Sequence, residues 1–146
     1  MNISILFLGQ TEQSSQVSTV VGDNNLRDEA FILLDEAQHK REKAAYHARK
    51  KDGLVAQHYA IEADRLREEA QRKQKKAAEI IFQNNNDKYR GKSVVDLHGL
   101  HVNEALQKLK NEIAHCKSKE LQIITGRGKG SANRIRKWLI SFKCKK

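Results

Sequence analysis

Apolar and polar positions follow a helical period from Leu26 to about Asn84, without a proline. Alanines recur seven residues apart, at Ala30, Ala37 and Ala44 and again at Ala56, Ala63, Ala70 and Ala77. Small residues at that spacing predict a seam along which two helices approach closely, with Leu26, Leu33, Leu66 and Ile81 available to thicken it. Asp52-Gly53 is the turn signal within this stretch. The pattern therefore predicts a long antiparallel helical hairpin over residues 26–86. Asn84-Asn85-Asn86-Asp87 ends the second helix and opens a linker.

A different rhythm follows. Ser93 to His98 predicts a short strand, and Val102, Ala105, Leu106, Leu109, Ile113 and Cys116 mark one face of a helix. Leu121 to Thr125 predicts a second strand. Beyond a glycine-rich segment, Ile135, Trp138, Leu139 and Phe142 predict the buried stripe of a final helix beginning near Ser131, with Trp138 a core residue rather than a stacking platform. The order β-α-β-α suggests parallel strands joined by a right-handed crossover. Residues 1–25 show no amphipathic period and carry a Gln/Ser/Thr stretch from Gln10 to Thr19, so they are expected to be a mostly disordered tail. Ile3–Leu8 is the segment there that could add a strand.

Charge changes the picture. The 146 residues carry a net +10, and the pI is near 9.7. Residues 91–146 hold 13 Lys/Arg against 4 Asp/Glu, residues 26–90 hold 15 against 12, and residues 1–25 carry a net −2. The positive field thus belongs to the C-terminal module and points to a polyanion, most simply nucleic acid. The basic clusters of the hairpin, Arg49-Lys50-Lys51 and Arg72 to Lys76, read first as solvation and second as an auxiliary grip on RNA. Cys116 and Cys144 have no CxxC partner and read as reduced thiols of a cytosolic or nuclear protein. The longest apolar run is too short to span a membrane and lacks the flanks of a signal peptide. No membrane partner is expected.

Two short loops carry the candidate chemistry. In a βαβ unit the loops that leave both strands lie at the same sheet edge, where ligands of open α/β sheets bind. Asp96 and His98 are two apart on the first strand, so their side chains should leave one face. A carboxylate beside an imidazole fixes its tautomer and suits general acid–base work; a histidine that completes a strand end by bonding a buried aspartate fits the spacing equally. Gly126-Arg127-Gly128-Lys129-Gly130 leaves the second strand. Its glycines permit close backbone approach, and its N–H groups and the following helix N-terminus could cradle a phosphate. Arg127 offers a bidentate fork and Lys129 a point charge, while Arg134, Arg136, Lys137 and Lys143 are candidate backbone contacts. A plain strand-to-helix turn is the alternative. His101, Cys116 and Cys144 lack the spacing of a zinc site, so no metal is expected.

The run Val94-Val95-Asp96-Leu97-His98-Gly99-Leu100-His101-Val102-Asn103-Glu104-Ala105-Leu106, followed by Ile123-Ile124-Thr125-Gly126-Arg127-Gly128, resembles the small MutS-related (Smr) domain. The hairpin at 26–86 resembles the helical domain of unknown function that commonly precedes Smr domains in eukaryotes. The resemblance implies an α+β chain: a 1–25 tail, a 26–86 hairpin, and a small βαβα Smr-type sandwich at 91–146. That fold is like the C-terminal domain of a translation initiation factor. Smr domains normally continue into one or two further strands, so the module is expected to lack its last strand or strands, unless Ile3–Leu8 supplies one.

The resemblance implies a nucleic-acid ligand and RNA endonuclease activity tied to surveillance of stalled ribosomes, in the cytoplasm or nucleus, with no cofactor and no tightly held metal. It places the family's acidic and histidine positions on Asp96 and His98, and its loop on Gly126, Arg127 and Gly128. Asp96, His98 and Arg127 are accordingly the expected catalytic residues. Gly126, Gly128, Lys129, Gly130, Arg134, Arg136 and Lys137 are the expected nucleic-acid contacts. RNA is the expected partner, with DNA and the ribosome as further candidates. The rival reading is a module that grips RNA or the ribosome without cutting. A third makes the hairpin a protein-docking spacer.

Overall fold

The computed structural model describes residues 2–7, 20–126 and 129–143. The chain forms two compact units, one of Val17–Ala77 and one of Met1–Gln16 with Ala78–Lys146.

In the helical unit, α1 (Val20–Arg49) is followed by α2 (Gly53–Asn86), whose last nine residues belong to the other unit. The alanine seam forms at six of its seven predicted positions; Ala56 is half-buried, and Ile81 packs against the core of the other unit. Ala30, Ala37, Ala63, Ala70 and Ala77 are fully buried, with Ala44 and Leu66 nearly so. With methyl groups at the contact the helices come close enough for flanking ion pairs, Lys40–Glu62 at 2.8 Å, Arg41–Asp64 at 2.5 Å and Lys73–Glu29 at 2.6 Å. The hydrogen bond from Lys40 holds the Glu62 carboxyl below its ordinary value, and the same bond raises the Lys40 ammonium. Glu29 does likewise for Lys73. Helix α1 starts at Val20, six residues before the predicted Leu26.

The turn between the helices is not built on the glycine that signals it. Lys51 takes the left-handed conformation, with φ 60°. Its N–H donates to the Ala48 carbonyl at 3.1 Å, and the Asp52 N–H donates to His47 at 3.0 Å. This pair of bonds is a Schellman motif with lysine where glycine is usual. Gly53 is instead the first residue of α2. A side chain in that conformation costs about 1–2 kcal/mol, so Lys51→Gly should raise the thermal stability of the hairpin by about 1 kcal/mol. Thermal melts followed at 222 nm would show it.

In the other unit, three parallel strands form a sheet in the order β1-β3-β2: β1 (Asn2–Phe7), β2 (Val94–Asp96) and β3 (Glu120–Thr125). Helix α3 (Val102–His115) links β2 to β3, and α4 (Lys129–Lys143) follows β3. A short 3-10 turn, Asp87–Tyr89, leads from α2 toward β2. Val95, Leu97, Leu121 and Ile123 join Leu100, Ala105 and Leu109, Ile135 and Leu139 of α4, and Ala78 of α2 in one core. Trp138 packs half-buried against it.

One expectation changes here. Residues 2–7 are a strand, not part of a disordered tail. They pair with the full length of β3, from Asn2↔Glu120 to Phe7↔Thr125. The third strand that the small module needs thus comes from the start of the chain, and β3 becomes the central strand. The boundary between the two compact units falls at Ala77/Ala78, inside α2.

Candidate active site

Both adjacent strands β2 and β3 run the same way, with Asp96 opposite Ile124. The Leu97 N–H donates to the Ile124 carbonyl at 2.8 Å, which extends the ladder to the point where both chains leave the sheet. The Asp96–Gly99 turn and Gly126 therefore leave the same edge, as the topology requires.

Asp96 and His98 touch. His98 Nδ1 lies 2.6 Å from Asp96 Oδ1, and the His98 backbone N–H donates to the same oxygen at 3.1 Å. The strand ends at Asp96 and His98 stands in the turn. The contact thus comes from an aspartate side chain bonding the backbone two residues on, a habit of this residue in turns, rather than from strand alternation alone. The Asp96 carboxylate is buried, with a side-chain exposure of 1%, whereas the His98 ring is 41% exposed. One end of the pair is fixed in protein and the other faces solvent. Two buried atoms at this edge, Asp96 Oδ2 and Thr125 Oγ1, have no hydrogen-bond partner among the described residues. Gly99 follows His98 with φ +77°, and a Cβ there would lie 3.3 Å from the Ile81 side chain. Both the backbone conformation and the close approach call for glycine.

The sequence reading missed what holds this turn. The Asn86 amide bonds both backbone groups of Asp96, accepting from its N–H and donating to its carbonyl, each at 2.8 Å. It also donates to the Phe82 carbonyl at 2.8 Å. Asn85 donates to the His98 carbonyl at 2.8 Å. β2 is an edge strand, and the side-chain amide of Asn86 does for it what a neighbouring strand would do. Two asparagines at a helix end directly before a strand are the signal that could have suggested this, beyond their habit of ending helices. Asn86→Ala leaves the buried edge groups of Asp96 unpaired and should cost about 2 kcal/mol, measured by urea denaturation followed through Trp138.

Of the glycine-rich loop, Gly126 directly follows β3 and is half-buried, with open space at its α-carbon. Arg127 and Gly128 lie outside the described residues. Helix α4 begins at Lys129, two residues earlier than predicted, so Lys129 and Gly130 stand in its first turn. Arg134, Arg136 and Lys137 are exposed on α4 while Ile135 and Leu139 are buried. Lys143 ends the helix. His101 caps α3, its N–H donating to Glu104 Oε2 at 2.9 Å. Cys116 is a free thiol, and Cys144 lies outside the described residues. Among the described residues no three His, Cys, Asp or Glu side chains form a metal-ligand group, and no helix is long and apolar enough to cross a membrane.

Residues 95–143 match the family model of the Smr domain. This is a nucleic-acid-binding, nuclease-type family. The match takes in Asp96, His98 and the glycine-rich loop; strand β1 and the two asparagines lie outside it, and the helical region before it is consistent with an additional domain. Among the curated proteins and the solved structures, no match is found.

Proposed function

We propose that the Smr region binds RNA and cleaves it without a tightly held metal, with Asp96 and His98 handling the proton. The observation that carries this reading is the 2.6 Å contact between a buried carboxylate and a part-exposed imidazole. An ionised carboxylate only accepts, so the Nδ1 of His98 carries the shared proton and Nε2 is left as the base. Nε2 takes the proton of a ribose 2′-OH as the 2′ oxygen attacks the adjacent phosphorus. The bond from phosphorus to the 5′ oxygen breaks, that oxygen takes a proton from solvent water, and the His98 imidazolium returns its own proton to solvent. The products are a 2′,3′-cyclic phosphate and a 5′-hydroxyl. Arg127 and the loop amides stabilise the charge that grows on the phosphoryl oxygens.

Lys129 in the first turn of α4 supports phosphate binding. A cation there opposes the helix dipole, and a bound anion removes the conflict. Arg134, Arg136 and Lys137 continue the positive face along α4. The resemblance to eukaryotic Smr proteins supplies the physiological setting of this reading, messenger RNA on stalled ribosomes in the cytoplasm.

Incubating the full chain with single-stranded RNA in EDTA tests the activity. Cyclic-phosphate ends are expected, and His98→Ala should abolish them. Equal cleavage by the variant would remove His98 from the reaction. Salt-sensitive binding with no products from the unaltered chain would favour the non-cutting module.

A further inference from the structure

The turn end of the helical unit carries a cluster that its packing does not require. Four rings follow one another across α1 and α2. Tyr46 meets His47 edge-on at 5.3 Å, His47 stacks on Tyr59 at 5.6 Å, and His58 meets Tyr59 at 5.7 Å. Lysines stand over the tyrosine rings: Lys40 and Lys43 over Tyr59 at 5.6 and 5.7 Å, and Lys50 over Tyr46 at 5.7 Å. The His47–Tyr59 stack joins the two helices and is half-buried, which structure alone explains. Tyr46 is different: its residue is 54% exposed.

Charge at this end is unbalanced. Lys40 pairs with Glu62, and His47 and His58 lie beside Asp52 and Glu62. Lys43, Arg49, Lys50 and Lys51 form no ion pair with a carboxylate among the described residues. The dipole at the C-terminus of α1 accounts for cations in its last turn. It gives no reason for Lys43 a turn and a half earlier, nor for an exposed tyrosine between them at positions 43, 46 and 50, which share one helix face.

We propose that this end of the hairpin is a second binding site for nucleic acid, taking an unpaired strand. A base stacks on Tyr46, and Lys43, Arg49, Lys50 and Lys51 neutralise the flanking phosphates. Unpaired strands are gripped by this combination of aromatic faces and mobile cations, because every base offers a π-face. An anionic membrane would be met by exposed aliphatic side chains among the lysines; among the described residues those exposed at this end, Leu54 and Ile61, stand on α2, whereas Tyr46, Lys43 and Arg49 stand on α1 and Lys50 and Lys51 in the turn. The site is separate from Asp96 and His98, and stands whether or not those residues cut.

Binding of a fluorescent unpaired RNA to the full chain carrying His98→Ala tests the proposal without consuming the RNA. Tyr46→Ala should weaken binding about tenfold, while Tyr46→Phe, which keeps the ring, should bind like the parent. Replacing Lys43, Lys50 and Lys51 together by alanine should lower the slope of log affinity against log salt by about 2. Photo-crosslinking to thiouridine RNA should mark the tryptic peptide 44–49. Affinity unchanged within twofold in both sets, or Tyr46→Phe as weak as Tyr46→Ala, overturns the proposal. So does a Tyr46→Ala variant that loses binding to phosphatidylserine vesicles but not to RNA.

Discussion

Asp96→Asn should leave the fold intact and lower RNA cleavage by about 10²–10⁴-fold, the range for losing a positioned proton-transfer group. The substitution keeps the size of a side chain that is fully buried. It removes a buried charge, one of whose oxygens has no hydrogen-bond partner among the described residues, so stability should change by less than about 1 kcal/mol. What the amide cannot do is hold the imidazole in one state. An asparagine either accepts from Nδ1–H weakly or turns its NH2 toward Nδ1. In the second arrangement the proton moves to Nε2, and His98 ceases to be a base. Single-turnover cleavage and thermal melts on the same preparation separate the outcomes. Full activity would remove Asp96 from the proton chemistry. Loss of both activity and folding would make the pair a strand-end fastening, the other reading its spacing allowed.

Legibility tracked how local each cause was. The alanine seam could be read because its spacing and its physical effect are the same thing: methyl groups every seven residues let two helices approach. The topology could be read because two apolar strands with a helix between them have one common arrangement. Asp96 and His98 were paired correctly, though the structure joins them through a turn as well as a strand. The misses had partners far away in sequence. Asn2–Phe7 is an unremarkable apolar run until β3 lies beside it, so its own pattern gave weak grounds for a strand. Asn86 looks like a helix terminator until the edge of β2 arrives ten residues later. The hairpin turn was misplaced for a subtler reason. Gly53 invites a left-handed residue, but the hydrogen bonds that end α1 require it two positions earlier, and Lys51 accepts the strain.

Deleting residues 1–7 should unfold the Smr-containing unit while most of the helical signal survives. β1 pairs with β3 over six residues in register, which corresponds to roughly five ladder hydrogen bonds at about 1 kcal/mol each. The loss approaches the lower end of the stability of a small domain, about 5 kcal/mol. It also leaves the central strand with a bare edge. The protein has one tryptophan, Trp138, and it packs against this core, so its emission reports on that unit. The truncated chain should show red-shifted Trp138 emission and no cleavage, with most of its intensity at 222 nm retained from α1 and α2. Unshifted emission with full cleavage would show that β2 and β3 suffice. The functional consequence follows from the sheet order. Among the described residues β2 pairs with no strand but β3, and β3 ends at Thr125, directly before Gly126. A strand at the start of the chain, remote in sequence from both loops, thus steadies the element on which Asp96, His98 and the glycine-rich loop all depend.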